Sequence, residues 1–334
     1  MGTWQYVIRR LLQLVPTLFG LLVLIFVIAR VMPGDPVRLA LGPEATQQQI
    51  ESLRRQLGLD DPLWLQFVNY VVGIFRGELG YSFRSLRDVS QDVGALLPAT
   101  LELVLAALII GIALGLPAGI LSAVYRDTWI DNFTRLIAIS GVALPRFWVA
   151  ILFQIWLAAQ LGLFPIIGRS SVSIDRYTGF LTVDSLLMGD GRAFLNVLWH
   201  LFLPALALAL PTAAQIARLM RTSMINVLNQ QYILVHRSYG LKPHRIILRY
   251  ALRNSLTSTL TVLGMSVGAL IENAFLVEVV FSWPGISAYG AAAVLYKDFN
   301  AVVAVTLVIG SVFLTVNLLV DLIYGLLDPR VRYD

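Results

Sequence analysis

Apolar positions fill this chain in blocks too long for a water-soluble core. Six segments, at about 11–30, 103–125, 136–161, 197–220, 256–280 and 302–327, reach the roughly 20 apolar residues that carry a helix across hydrocarbon. Pro16, Pro117, Pro145, Pro204 and Pro211 fall inside them. Membrane helices tolerate such interruptions because neighbouring helices satisfy the freed backbone groups. The pattern predicts an all-α integral membrane protein with six transmembrane helices. Arg9 and Arg10 lead directly into the first apolar run without a small-residue cleavage site, so that run reads as a retained span.

Two stretches between spans are long enough to fold. Residues 35–97 predict a small helical insertion. Thr46 and Gln49 have capping-box spacing, Ile50, Leu53 and Leu57 share a face, and Gly58 followed by Leu59 suits a helix end. Asp61-Pro62 predicts a second start, with Asp as the cap and Pro first in the helix. Leu63, Trp64, Phe67, Val68, Val71, Ile74 and Phe75 then form an apolar stripe suited to packing on spans or to lying at the interface. Residues 162–198 carry Gly, Pro and Asp punctuation and are expected to be irregular. The chain divides into an N-terminus with the first span (1–34), the insertion (35–97) and a five-helix core (98–334).

Composition agrees: 57% of residues are hydrophobic and 13% charged, where soluble domains carry about 25% charged residues. The formal charge of +5 arises from 25 Lys and Arg against 20 acids, and its placement is topological. With the N-terminus inside, the inner segments hold thirteen Lys/Arg and four acids, the outer ones ten and twelve. The basic excess on short loops puts both termini in the cytoplasm. With no cysteine, disulfides and thiol catalysis are excluded, and three scattered histidines argue against a transition-metal site.

The basic excess concentrates at Arg218–Arg253, which has seven Lys/Arg, two His and no acid. Residues 221–239 are expected to prolong the fourth span as a helix ended by Gly240, with Leu241 folding back on Val235 or His236. Pro243 then opens a second short helix leading into the fifth span, so the inner surface carries a helix–glycine–helix elbow over about 224–250. A basic loop can serve topology alone. Apolar Tyr232, Ile233, Val235 and Tyr239 favour a helix that inserts into a partner's groove.

In this segment Arg218, Arg221, Ser223, Val227, Leu228, Tyr232, Ile233, Arg237, Gly240 and Leu241 follow one recurring pattern, continued by Ala251-Leu252-Arg253-Asn254. Further matches lie at Pro33-Gly34-Asp35-Pro36, Leu57-Gly58-Leu59-Asp60 with Pro62, and Gly77-Glu78-Leu79-Gly80-Tyr81-Ser82. Others are Ala99-Thr100-Leu101-Glu102-Leu103, Phe281-Ser282-Trp283-Pro284-Gly285 and Asp328-Pro329-Arg330-Val331-Arg332. Together they resemble the permease subunits of ABC importers of the dipeptide/oligopeptide/nickel type. The resemblance implies a prokaryotic inner-membrane subunit with the type I importer permease fold, forming half of a translocation path. Its implied partners are a second related permease, two ATPase subunits that bind ATP and Mg, and an outer solute-binding protein. The chain itself is expected to bind no cofactor and to catalyse nothing; it has no G-x-x-x-x-G-K-[ST] phosphate loop. The resemblance assigns ATPase coupling to Tyr232, Ile233, His236, Arg237, Gly240 and Leu241. Gln231, His236, Ser238 and Tyr239 replace an acid, an alanine and an Ala-Lys pair of the pattern, and Thr257-Ser258 replaces a Leu-Pro. These departures imply a partner surface of altered charge. The outer stretch Gly179–Leu187, running on to Trp199–Ala205, resembles the peptide branch rather than the nickel branch.

Charged residues inside a membrane are costly and therefore candidates for function. Arg146, about 15 Å into a continuous third span by helical rise, lies near the midplane. It either lines the path, attracting a peptide carboxylate, or pairs internally with Glu272 or another acid, or contacts backbone carbonyls freed by Pro145. Glu272 and Asn273 are the accompanying path candidates. Glu102, Glu278 and Asp321 lie near span ends and read as structural. A self-sufficient secondary transporter would need an inverted repeat and midplane ion-coupling acids. An intramembrane enzyme would need clustered catalytic groups. The sequence has neither arrangement.

Overall fold

The computed structural model describes residues 3–31, 37, 41, 45–56, 58–82 and 84–327. Pro33–Pro36, Leu57 and Asp328–Arg332 lie outside the described residues, as do the side chains of Leu53, Thr257, Ser258 and Asp321. Among the described residues the fold is all-α apart from one short hairpin. In chain order the helices are α1 (Thr3–Val31), α2 (Gln47–Gln56), α3 (Leu63–Phe75), α4 (Val89–Val124) and α5 (Trp129–Ala143). They continue with α6 (Arg146–Phe153, prolonged as a π-helix over Gln154–Gln160), α7 (Leu181–Leu187), α8 (Gly191–Leu228) and α9 (Gln231–Ser238). After π-helical Ile246–Ala251 come α10 (Leu252–Val280), α11 (Ile286–Leu295) and α12 (Phe299–Leu327). Among the described residues α4, α8, α10 and α12 are each long and apolar enough to cross a bilayer, and the α5–α6 pair is a bent further span. Helix α1, apolar from Val15 to Ile28 and packed on α12, occupies the place of the first expected span.

The centre of the bundle is the α4–α8 seam. Gly115 and Gly119 lie one helical turn apart, and a Cβ on either would stand 2.6 Å from a carbonyl oxygen of α8, that of Ala213 or Ala217. Small residues at this spacing let two membrane helices approach at backbone distance, where packing rather than water exclusion holds them. Leu103, Ala107, Leu203, Leu208, Leu270 and Ala274 extend this core between α4, α8 and α10.

The third span differs from the continuous helix expected. Its limbs α5 and α6 meet at 105°. Pro145 has no N–H to give the preceding turn and drives Leu144 out of helical space, to φ −82° and ψ 133°. Arg146 therefore begins a new limb instead of sitting mid-helix.

The insertion starts with the reciprocal cap read from the sequence: Thr46 N donates to Gln49 Oε1 at 2.9 Å and Gln49 N to Thr46 Oγ1 at 3.4 Å. At its other end Leu59 N donates to Arg54 O at 3.0 Å. Asp61 does not cap α3. Pro62 is itself the N-cap, its carbonyl accepting from Leu65 N and Gln66 N, while Gln66 Nε2 donates back to Leu59 O and Asp61 O. Phe67 of α3 packs edge-on against Phe19 and Phe26 of α1, at 6.1 and 5.2 Å between centroids. Beyond it, hairpin β1–β2 (Tyr81–Ser82 with Arg87–Asp88) leads into α4.

Residues 162–198 are more ordered than expected. They hold α7 and the first turns of α8, whose Asp190 cap accepts from Arg192 N and Ala193 N. Burial alone pushes the Asp184 carboxyl up, but hydrogen bonds from Thr178 and Gly179 outweigh it and hold it below the usual carboxylate range.

Candidate functional site

The elbow is built on a core of its own. Helix α8 stops at Leu228, Gln230 is extended at ψ 149°, and α9 starts afresh at Gln231. The prolongation from 221 to 239 is thus two helices, not the one expected. No glycine or proline marks the break. It lets Ile233 turn back, 1% exposed, onto Met220 and Met224 of α8 and onto Ile246 and Ala251 at the root of α10. Tertiary packing overrides local helix preference at Asn229-Gln230.

At the far end of α9, Gly240 N donates to Arg237 O at 2.9 Å and Leu241 N to His236 O at 3.2 Å. That pair of bonds is the Schellman closure, and it needs the left-handed φ of +70° found at Gly240. Leu241 covers the same small core. The His236 ring packs on Tyr250 at 4.2 Å and lies 6.2 Å from Tyr232, whose hydroxyl accepts from Asn254 Nδ2 at 2.8 Å.

Side chains therefore divide by role. Ile233 faces inward. Tyr232, Leu234, Val235, Arg237 and Tyr239 are exposed, Leu234 at 67% and Tyr239 at 80%. Leu234 had not been singled out in the sequence. Its position one turn before Ser238 and beside Val235 on an acid-free helix is the signal that marks it.

A second cluster, also not singled out from the sequence, ties three spans together at the same end of the bundle. Asp131 at the start of α5 is fully buried and takes both oxygens to Arg221 of α8, with Nε–Oδ1 and Nη2–Oδ2 at 2.7 Å. Ser122 of α4 donates to Asp131 Oδ1 at 2.6 Å and Asp127 N to Oδ2 at 3.0 Å. Bidentate Arg–carboxylate geometry with these added donors fills the acceptor capacity of the carboxylate, as a buried charge requires.

At the opposite end, Glu278 of α10 is fully buried and accepts from Thr100 Oγ1 of α4 and from Ala288 N of α11. Thr100 in turn accepts from Ile286 N, and Trp283 Nε1 donates to Ala99 O. Any Cβ at Gly285 would fall 2.1 Å from Glu278 Oε1, so the Phe281–Gly285 motif requires glycine for space. Glu102 pairs with Arg169, each 4% exposed, and accepts from Thr182 N. These contacts explain why Ala99-Thr100-Leu101-Glu102 and Phe281–Gly285 appear together: they form one clamp.

Two of the three path candidates meet at one carbonyl. Arg146 Nη1 donates to Ala269 O at 3.3 Å, and Asn273 Nδ2 donates to the same oxygen at 2.7 Å. The carbonyl belongs to α10, not to the turn freed by Pro145. Glu272 is exposed and makes no direct ion pair among the described residues, yet lies near enough to act on Arg146 through space.

Residues 115–333 match the family described as binding-protein-dependent transport system inner membrane components, and residues 3–104 match its N-terminal membrane component. The chain belongs to this family. Over 99% of its length it is 40% identical to the probable D,D-dipeptide transport system permease protein DdpB of Escherichia coli, covering 98% of that protein. It is 38% identical to the di/tripeptide transport system permease protein DppB of Pseudomonas aeruginosa, over 99% of both chains. The glutathione transport system permease protein GsiC of Escherichia coli is 35% identical over 98% of this chain and 99% of its own. Among solved structures, the inward-facing MetNI methionine ABC transporter shares the fold, with a TM-score of 0.52 at 17% identity, covering 69% of this chain and 93% of that one. As a binding-protein-dependent permease, the chain is a multi-pass inner-membrane component, and its elbow and clamps are features of a transport subunit.

Proposed function

We propose that this chain forms half of the translocation path of an ATP-driven importer of short peptides. It works with a second related permease, two ATPase subunits that bind ATP and Mg, and an outer binding protein that delivers the peptide. Both termini and the elbow face the cytoplasm. The observation that carries the reading is the acid-free elbow itself, exposed on one side and anchored on the other, in a chain alike end to end with di- and tripeptide permeases.

Mechanically, an ATPase cleft grips Tyr232, Leu234 and Val235 of α9 and Tyr239 at its C-cap. Ile233 passes the displacement to α8 through Met224 and to α10 through Ile246. The Asp131–Arg221 pair hands part of that load to α5 and α4. Gly240 and its two hydrogen bonds keep the elbow angle fixed, so that closure of the ATPases moves spans rather than bending the loop. Arg146, Glu272 and Asn273 line the path, where a cation and an anion at one depth match a zwitterionic peptide.

The test is uptake by the complete complex in liposomes. ATP-dependent uptake of a dipeptide is expected, and ATP-independent uptake by this chain alone would overturn the reading. In the same assay Arg146→Leu is expected to lower uptake of a free-carboxylate dipeptide about tenfold, the scale of one hydrogen bond to a charged group. The corresponding dipeptide amide should be spared. Equal loss for both would make Arg146 a structural strut on Ala269.

A further inference from the structure

A cavity of about 360 Å³ opens between α5 and α8 beside the Asp131–Arg221 pair. Its lining is graded along the bundle. Nearest the elbow it presents Arg135, Arg218, Arg221 and Thr222; deeper, it is walled by Ile139 and Val142 of α5 and by Ala214 and Ala217 of α8. The small side chains of α8 leave the space, and Gly141 lets α5 approach Ala214 beside it.

The charges at the mouth do not balance. Asp131 is taken by Arg221 and is approached by Arg135 at 3.7 Å. Arg218 has no ion pair among the described residues. The nearby loop adds nothing, since Arg126 and Asp127 pair with each other at 3.2 Å. Three guanidinium groups against one carboxylate leave an excess of two positive charges at the mouth.

We infer that this cavity holds an acidic phospholipid of the cytoplasmic leaflet, its phosphate between Arg135 and Arg218 and an acyl chain between α5 and α8. The assignment to that leaflet rests on the topology proposed above. A soluble anion would use the charged mouth and leave the apolar depth wet. A lipid satisfies both. Depth fits as well: Trp129, 74% exposed, begins α5 where interfacial aromatic residues belong. Arg135 lies about 9 Å deeper by helical rise, within reach of the headgroups by snorkelling.

The test uses the complete complex in phosphatidylcholine nanodiscs carrying a trace of photoreactive phosphatidylglycerol, with adducts mapped by peptide mass spectrometry. Adducts are expected on 135–143 and 214–222. Excess phosphatidylglycerol should remove them, but phosphatidylcholine or inorganic phosphate at the same concentration should not. Arg218→Gln is expected to lower labelling about fivefold, from the attraction of one basic residue to an anionic surface, while Arg218→Lys keeps it. Competition on the unaltered chain decides the matter should a variant fail to fold. Equal labelling by photoreactive phosphatidylcholine would reduce the site to annular lipid. Displacement by phosphate would make it a soluble-anion site. Cross-links to the second permease in place of lipid would make it a subunit interface. Each of these, or no adduct, overturns the inference. Because both nanodisc leaflets have one composition, the result does not depend on topology.

Discussion

Gly240→Val is expected to leave ATP hydrolysis by the reconstituted complex running while peptide uptake falls about tenfold. Gly240 sits at φ +70°, and a Cβ there would meet nothing within 4 Å. The cost is therefore backbone strain without a clash. Holding a β-branched residue in the left-handed region costs about 1–3 kcal/mol, and 1.4 kcal/mol is a factor of ten. The helix escapes that strain by abandoning the bonds from Gly240 N and Leu241 N, and the elbow angle goes with them. Gly240→Asn separates this mechanism from a general intolerance, because Asn adopts the left-handed region far more readily. Uptake and hydrolysis measured together in proteoliposomes should therefore find Asn coupled and Val uncoupled. Equal behaviour of the two would remove the elbow from the coupling mechanism.

Asp131→Ala is expected to be the most destabilising single change in the bundle. It strands the Arg221 guanidinium between α4, α5 and α8 and removes the acceptor for Ser122 and Asp127 N. Removing one partner of a buried pair costs about 3–5 kcal/mol, and the lower end applies because the Arg221 side chain remains 21% exposed and can reach water. Thermal unfolding of the detergent-solubilised complex should show the midpoint falling. The double variant Asp131→Ala with Arg221→Met should recover part of the loss, because no charge is then left unpaired. A double variant as unstable as the sum of two singles would mean that the residues act independently.

What the sequence could carry depended on how local each cause was. Apolar blocks placed the spans, and the Thr46–Gln49 cap and the Gly240 turn were readable because partners a few residues apart create them. Asp190 before the fourth span was equally local, and its capping role could have been read. The glycines at 111, 115 and 119 repeat every fourth residue, a spacing that announces a close helix contact without naming the partner. The rest depends on distance. Asp131 meets Arg221 ninety positions away, a pairing that no local pattern marks. The break at Asn229-Gln230 follows from where Ile233 finds a core, and that core is assembled from α4, α8 and the Ile246–Ala251 turns. Pro145 was visible inside the third span, but the 105° turn was not, and its second limb packs on α8 and α10 from distant parts of the chain. Asp61 misled because two adjacent residues can each begin a helix, and the register chosen put Pro62 in the capping place.

The chain has no cysteine, so a single thiol reports unambiguously on the elbow. In Tyr239→Cys, at a position 80% exposed, a membrane-impermeant maleimide should fail to label intact cells, label inverted membrane vesicles, and be blocked there when the ATPase subunits are bound. Labelling from outside intact cells, or in vesicles with no protection by those subunits, would contradict a cytoplasmic elbow gripped by an ATPase.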